Sequence, residues 1–227
     1  MQLEMGVVEI YDDFITEDQA KLIIETVENI SNDDEISIGF EDAIIGKGHK
    51  GGNIRSNQVF YLSTLANEPP GTRLYRDAIK ANKENYFEDI KNIQTLISNR
   101  MQLFVNEYTE KYEFPIMFDE GYTILRYKGG QEYKGHSDYA PHIPRYLSAL
   151  ILLNPSEYDG GGTYFEHFDV NIKPDKPSLV LFPSNYAYTH RAMPVIKGQK
   201  YAIVTWLGHP MDWDGMPPMY TGKQWTQ

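Results

Sequence analysis

Three residues in the second half of the chain have the side chains and the spacing of a metal site. His136 and Asp138 are separated by one residue, so on a strand both side chains would point to the same face and reach one ion. A second histidine, His190, lies at the end of the strand-like segment YAYTH. Two imidazoles and one carboxylate on one face leave coordination positions open, which predicts a metal centre that can bind further ligands.

The H-x-D pattern is weakly specific alone, because a His and an Asp at a strand edge can simply bond each other or water. Lys200 is a further residue that supports a metal site. Lys200 begins the apolar strand KYAIVTWL. A cation buried among apolar neighbours is costly unless an anion pairs with it. A dicarboxylate that chelates the metal at its other end would supply that anion. The alternative is a lysine at a strand edge with its ammonium group in water.

The first half of the chain contains the elements that must support such a site. The segment VVEIYDDF predicts a short strand, and Thr16 with Gln19 forms a capping-box pattern that starts a helix. Apolar residues at helical spacing extend this helix to about residue 30. Residues 39–56 are rich in glycine and predict a mobile loop or loose hairpin, either a lid or a plain surface loop. From Thr72 to about Tyr112 the pattern is helical, as one helix or two. Its apolar stripe is Tyr86, Ile90, Ile93, Ile97, Phe104 and Tyr108.

After residue 115 the pattern changes to short strands. Runs rich in Val, Ile, Leu, Tyr and Phe alternate with Gly, Pro, Asn and Asp, as in an antiparallel sandwich, barrel or jelly roll. The predicted strands are 121–127, 131–138, 146–153, 163–168, 178–182, 186–191 and 200–207. The predicted fold class is α+β, with a double-stranded β-helix (jelly roll) core braced by N-terminal helices. We expect one domain over 1–227, divided into helical support and lid (1–114), catalytic core (115–210) and C-terminal tail (211–227).

Composition limits the classes of function. The 227 residues carry a net charge of −11 and no cysteine, which excludes disulfides and thiolate chemistry. The acidic balance disfavours a nucleic-acid partner. The 17 tyrosines suit half-buried strands and the walls of a cleft. The N-terminus has no signal-peptide pattern, and no run approaches the roughly 20 apolar residues of a membrane span, so we expect a cytoplasmic protein without a membrane partner.

The segment from Tyr127 to Leu207 resembles the catalytic core of 2-oxoglutarate/Fe(II) dioxygenases of the prolyl 4-hydroxylase type. In that family a tyrosine-rich strand leads into H-x-D, an arginine opens an apolar strand, and a G-G-x-T turn follows. A distal histidine, P-V-x-x-G, a Lys or Arg and a strand ending in Trp complete the order. This chain reads YKGGQEYKGHSD, RYLSALILLN, GGT and HRAMPVIKGQK, and then Trp206.

The resemblance implies Fe(II), 2-oxoglutarate and O2 as cofactors, with ascorbate as a further candidate. The residues that it implies as catalytic metal ligands are His136, Asp138 and His190. For 2-oxoglutarate it implies Lys200 at the distal carboxylate, Tyr127 as a hydrogen-bond donor or acceptor and Trp206 as a wall. For the prime substrate it implies Tyr133 and Arg145, joined by Arg55 from the lid.

The implied activity is hydroxylation of a C–H bond, most directly in a prolyl residue of a peptide or protein. One departure concerns co-substrate geometry: the family often has a tyrosine on the strand after Arg145, and the aligned residue here is Leu152. Asp138 favours hydroxylation over halogenation, since the related halogenases lack this carboxylate. His49, His142, His167 and His209 are expected to be surface or hydrogen-bonded histidines, with His142 the one nearest a substrate.

Three alternatives stay open at this point. A non-catalytic jelly-roll protein with a binding or structural role would have no need for three metal ligands together with Lys200. An oxygenase acting on a free amino acid or another small molecule would keep the same chemistry. An oxygenase that repairs nucleic-acid bases would need a basic groove, and a net charge of −11 does not indicate one.

Overall fold

The computed structural model describes residues 5–45, 49–50, 54–139 and 145–208. Several predictions therefore fall outside the described residues. These are the parts of the 39–56 segment at 46–48 and 51–53, His142, His209, the side chain of His49 and the tail at 211–227.

The described residues in the first half of the chain form four helices. Helix α1 begins with the predicted capping box, in which Gln19 N–H donates to Thr16 Oγ1 and Thr16 N–H donates to Gln19 Oε1. The helical pattern after Thr72 proves to be two helices. Between them Asn82 has a positive φ of 55°, a backbone conformation that an α-helix does not contain. The predicted apolar stripe of the second one is buried as expected. The helices are α1 (Glu17–Ser31), α2 (Leu62–Ala66), α3 (Arg73–Lys80) and α4 (Asn85–Tyr112).

A major antiparallel sheet forms the centre of the molecule. Its strands are β1 (Glu9–Tyr11), β2 (Glu41–Asp42), β5 (Gln58–Phe60), β6 (Phe118–Asp119), β7 (Thr123–Tyr127), β9 (Arg145–Leu152), β13 (Ser178–Pro183) and β16 (Lys200–Gly208). The order is β1-β13-β9-β16-β7-β5-β2, with β6 also paired to β16. The N-terminal half therefore supplies strands to this sheet as well as helices.

A minor sheet faces the major one. Its strands are β8 (Tyr133–His136), β11 (Thr163–Phe165), β12 (Val170–Ile172) and β14 (His190–Ala192), in the order β12-β11-β14-β8. Two further ribbons are β3 (Ile44–Ile45) with β4 (His49–Lys50), and β10 (Asp159–Gly160) with β15 (Val195–Lys197). Phe165 of the minor sheet packs with Leu152 and Phe182 of the major sheet in a shared apolar cluster. The predicted α+β fold with a jelly-roll core is confirmed.

The two faces of the major sheet have different partners. Along β9, Leu147, Ala149 and Ile151 belong to the core shared with α1 and α4, whereas Ser148 and Leu150 line a cavity on the opposite face. Because strand side chains alternate between faces, the helices fix which residues of β9 reach the cavity. A shift of one residue would exchange the two sets.

One predicted strand was wrong in its first part. Residues Tyr186–Tyr188 form a 3₁₀ turn, in which Asn185 Oδ1 accepts a hydrogen bond from the N–H of Ala187. This local side-chain bond competes with strand pairing, so β14 begins only at His190. His190 is therefore the first residue of its strand, whereas the predicted strand 186–191 placed it near the end.

Among the described residues, no helix combines the length and the apolar character that crossing a bilayer requires.

Candidate active site

The two predicted histidines and the aspartate meet between the two sheets. His136 ends β8, His190 begins β14, and the two are paired residues of the minor sheet. Asp138 follows β8, and its Oδ1 lies 3.7 Å from His136 Nε2 while its Oδ2 lies 3.8 Å from His190 Nε2. One ligand atom from each residue lies within 4.8 Å of the other two. The structure therefore brings the three predicted ligands together.

Both imidazoles are held in the tautomer that a metal ligand needs. His136 Nδ1 lies 2.9 Å from the carbonyl oxygen of Lys134, and His190 Nδ1 lies 3.1 Å from that of Tyr188. A carbonyl can only accept, so each Nδ1 carries a proton, and Nε2 is the ring atom left to coordinate a metal. Burial, together with the neighbouring His190, lowers the pKa of His136 to about 4. Its imidazole is therefore neutral at physiological pH.

Asp138 is kept ionised in a buried position. Burial alone would raise its pKa, but the imidazoles of His190 and His136 and hydrogen bonds from Ser148 and Trp206 lower it. The hydroxyl of Ser148 lies 2.6 Å from Asp138 Oδ2. Two imidazole nitrogens and a carboxylate form the donor set of a facial site for Fe(II) or a similar divalent metal, so the residues present fit the ion.

Lys200 provides a buried cation in the lining of the same cavity. Its side chain is 2% exposed, and Nζ donates to the carbonyl oxygen of Gly161 at 2.7 Å and lies 5.3 Å from the ring centre of Tyr127. Across the described part of the chain, no carboxylate forms an ion pair with it. Burial, with Lys173 nearby, lowers the pKa of Lys200 to about 7. An anion bound beside it would offset this cost.

Two neutral hydroxyl groups accompany that cation. Burial raises the pKa of Tyr127, so its phenol keeps its proton and can donate a hydrogen bond. Thr163 is buried, and its Oγ1 has no hydrogen-bond partner within the described residues. An orphaned buried hydroxyl costs free energy unless a ligand satisfies it. The residues around Lys200 therefore fit the distal carboxylate of a dicarboxylate such as 2-oxoglutarate.

The residues predicted to face a substrate form a second group, near the metal ligands. Arg145 donates from Nε and Nη2 to the two carboxylate oxygens of Glu120, at 2.7 Å each, and its guanidinium stacks over Trp206 at 3.7 Å. Arg55 lies 4.7 Å over the ring of Tyr133. The Tyr133 ring in turn stacks on His136, with centroids 3.6 Å apart.

All nine predicted site residues line one cavity of about 330 Å³. These are Arg55, Tyr127, Tyr133, His136, Asp138, Arg145, His190, Lys200 and Trp206. Trp206 lies on β16, six residues after Lys200. It contacts Asp138 and Arg145. Its predicted role as a wall for 2-oxoglutarate stays a prediction.

Three residues of the site were missed by the sequence reasoning. Glu120 pairs with Arg145, Ser148 binds Asp138, and Thr163 presents its orphaned hydroxyl. Thr163 had a usable signal, since it belongs to the recognised GGT turn. Leu152, which takes the place of a family tyrosine, is buried in the core between the sheets, and His167 is exposed as expected.

Comparison with known proteins assigns this arrangement to a class. Residues 122–208 match the family model of the 2OG-Fe(II) oxygenase superfamily, which spans all the predicted site residues except Arg55. The segment 122–208 is therefore a 2OG-Fe(II) oxygenase domain. Members of this family use Fe(II), 2-oxoglutarate and O2, in agreement with the metal ligands and the buried Lys200.

Individual relatives match part of the chain. Over 122 residues the chain is 29% identical to prolyl 4-hydroxylase 13 of Arabidopsis thaliana, covering 41% of this chain and 44% of the relative. Over 93 residues it is 33% identical to a PKHD-type hydroxylase of Alteromonas mediterranea, covering 36% of this chain and 40% of the relative. The matches thus span less than half the length of these relatives.

Solved structures agree with the fold. A prolyl hydroxylase from Trichoplax adhaerens, in complex with a hypoxia-inducible factor peptide fragment, superimposes with a TM-score of 0.68 at 19% identity, covering 91% of this chain and 86% of that one. A viral collagen prolyl hydroxylase from Paramecium Bursaria Chlorella virus-1, in complex with 2-oxoglutarate, gives a TM-score of 0.58 at 18% identity, covering 93% and 100%.

Proposed function

We propose that this protein is a 2-oxoglutarate- and Fe(II)-dependent dioxygenase that hydroxylates a prolyl residue in a peptide or protein. The observation that carries the proposal is the cavity with two kinds of binding group. The three candidate metal ligands line this cavity together with Lys200, a buried cation that no carboxylate among the described residues pairs with. A non-catalytic scaffold would gain nothing from a desolvated lysine beside three side chains that can ligate a metal.

The protein's part in the reaction is to hold and orient the reactants. When bound, Fe(II) with 2-oxoglutarate and O2 supplies the oxidising power that places one oxygen atom in the substrate and the other in succinate, with release of CO2. His136, Asp138 and His190 would hold the ion. Lys200 would bind the distal carboxylate of 2-oxoglutarate, and that charge would restore the pKa of its ammonium group toward the ordinary range.

The walls of the cavity would exclude water from the reacting groups. Leu125, Leu150, Phe182 and Val204 line it with apolar surface. In a dry cavity the ion pair between Lys200 and a carboxylate is stronger than in water.

The substrate is proposed to approach from the side of Tyr133 and Arg145. Arg145 already has its charge balanced by Glu120, so it suits a neutral acceptor, such as a peptide carbonyl, better than a free carboxylate. Arg55, which lies over Tyr133 and binds Asn57 Oδ1 at 2.8 Å, would stand beside it. The names of the relatives, which include prolyl 4-hydroxylases, favour a prolyl substrate. The net charge of −11 opposes a nucleic-acid substrate.

The proposal is tested by coupled product analysis. Purified protein with Fe(II), 2-oxoglutarate and ascorbate is incubated with proline-containing peptides, free proline and a non-proline peptide, and succinate and oxygen incorporation are followed by mass spectrometry. We expect succinate in step with hydroxyproline in a peptide, and no activity in the Asp138→Ala variant. Hydroxylation of free proline alone would move the substrate class to a free amino acid.

Absence of succinate with every substrate, in protein that binds metal, would contradict the enzymatic proposal. The role of ascorbate stays a prediction, and omitting it from a parallel reaction tests it directly.

A further inference from the structure

The carboxylate of Asp138 has two oxygen atoms that distance alone does not distinguish as metal ligands. Oδ1 lies 3.7 Å from His136 Nε2, and Oδ2 lies 3.8 Å from His190 Nε2. Coordination through both oxygens would occupy one of the positions that a facial site leaves open. The surroundings of the carboxylate must therefore decide how it binds.

Two buried hydroxyl groups treat the oxygens differently. Ser148 Oγ lies 2.6 Å from Asp138 Oδ2 and 2.9 Å from Ser184 Oγ. An ionised carboxylate can only accept, so Ser148 donates its single proton to Oδ2. Ser184 must then donate its own proton to Ser148. The result is a directed chain from Ser184 through Ser148 to one oxygen of Asp138.

Ser184 also fixes the backbone around the metal ligands. Ser137, which lies between His136 and Asp138, donates its hydroxyl to the carbonyl oxygen of Ser184 at 3.1 Å. Ser148 is 3% exposed and Ser184 is 1% exposed. Ser148 lies on β9, and Ser184 directly follows the neighbouring strand β13. Both hydroxyls are therefore supported by the rigid major sheet rather than by a loop alone.

We propose that Ser148, oriented by Ser184, is a positioning residue that holds Asp138 as a one-oxygen metal ligand through Oδ1. This inference rests on the proposed metal site. A strong hydrogen bond to Oδ2 stabilises the charge on that atom and keeps it turned away from the ion. The Trp206 indole also hydrogen-bonds this carboxylate, but the 2.6 Å bond from Ser148 is the one that fixes Oδ2. Oδ1 would then coordinate, and the positions needed by the co-substrate would stay free. Partners of this kind typically change metal affinity by about 10–100-fold.

The test measures binding of Co(II) alone, a divalent probe that avoids the oxidation of Fe(II). Titrations of metal-free wild type, Ser148→Ala and Ser184→Ala are followed by calorimetry and by the visible absorption of the bound ion. We expect the dissociation constant for Co(II) to rise about 10–100-fold in Ser148→Ala, with an altered visible spectrum. Ser184→Ala should show a smaller loss, because Ser148 retains its own proton for Asp138.

Ser178→Ala is the matched control. Ser178 is also buried, and its hydroxyl likewise bonds an aspartate oxygen, Oδ1 of Asp12 at 2.9 Å, away from the cavity. The melting temperature of Ser178→Ala should fall about as far as that of Ser148→Ala. The Co(II) affinity and the visible spectrum of Ser178→Ala should stay those of the wild type. A merely structural role for Ser148 would make the two variants alike.

The possible outcomes separate the two proposals. If the wild type binds Co(II) and Ser148→Ala binds it equally well or more tightly, the positioning role is refuted. If Ser184→Ala loses as much affinity as Ser148→Ala, the direction of the hydroxyl chain is wrong and the inference fails. If the folded wild type binds no Co(II), the metal site of the proposed function itself fails.

Discussion

Replacement of Lys200 by Met is expected to stabilise the ligand-free protein and to abolish its response to 2-oxoglutarate. The side chain is 2% exposed, and its nearest polar partner is the carbonyl oxygen of Gly161 at 2.7 Å. Met has a similar length and no charge to desolvate. The lysine is thus retained at a cost in stability, as is common for residues that serve binding.

The size of the effect follows from the pKa of Lys200. A fall from 10.5 to about 7 corresponds to a penalty on the order of 5 kcal/mol for the charged form. Met would also leave the carbonyl of Gly161 without this donor, which costs about 1–3 kcal/mol. The difference predicts a net gain of about 2–4 kcal/mol in the free energy of unfolding below pH 7.

The gain should depend on pH in a stated direction. Between about pH 7 and 10.5 the unfolded wild type holds a proton at Lys200 that the folded wild type has lost. Stability rises with pH wherever the unfolded state binds more protons. The free energy of unfolding of the wild type should therefore rise relative to that of Lys200→Met through this range. The advantage of Lys200→Met is therefore largest near or below pH 7 and shrinks as the pH approaches 10.

Urea unfolding at several pH values measures the difference, with Lys91→Met as control. Lys91 lies on the exposed face of α4, so its replacement should change stability little and at no particular pH. Thermal melts of metal-loaded protein with 2-oxoglutarate give the second readout: a rise in melting temperature for the wild type and Lys91→Met, and none for Lys200→Met. A destabilised Lys200→Met that still responds to 2-oxoglutarate would refute both parts of the reasoning.

Three further changes address separate parts of the molecule. His136→Ala should lose Co(II) binding in a direct titration while its far-ultraviolet circular dichroism is retained, and retained binding would remove this residue from the metal site. Glu120→Ala should release Arg145 and raise the KM for a peptide substrate about tenfold, equivalent to about 1.4 kcal/mol of binding; an unchanged KM in steady-state assays would show that the pair does not position substrate. Thr16→Ala should lower the free energy of unfolding by about 1 kcal/mol in urea titrations without changing metal affinity, since it removes the cap of α1 that Gln19 completes; a loss below a few tenths would contradict the capping assignment.

The features that the sequence predicted well depend on neighbours along the chain. The capping box of Thr16 and Gln19 is formed within one turn, and the buried stripe of α4 follows from helical period. The alternation of β16 likewise predicts that Lys200 and Trp206 share a face. The three metal ligands were recognisable because H-x-D and the distal histidine keep the order of a known family.

The features that were missed depend on the pairing of distant strands. Glu120 meets Arg145, and Ser148 meets Ser184, only because β9 is aligned with its neighbours in one register. Nothing near Ser148 in the sequence marks it as a partner of Asp138. The turn at Tyr186–Tyr188 was taken for strand because its tyrosines have high strand propensity, while the side chain of Asn185 decides the local backbone.

The central claim is that one cavity holds a divalent metal and a 2-oxoglutarate molecule together. The most direct measurement is an anaerobic titration of 2-oxoglutarate into Fe(II)-loaded protein, followed by the weak visible charge-transfer band of the chelate. We expect the band in the wild type at stoichiometric co-substrate, its loss in His190→Ala, and a much higher half-saturation in Lys200→Met. Folded, metal-loaded wild type that never develops the band would contradict the claim.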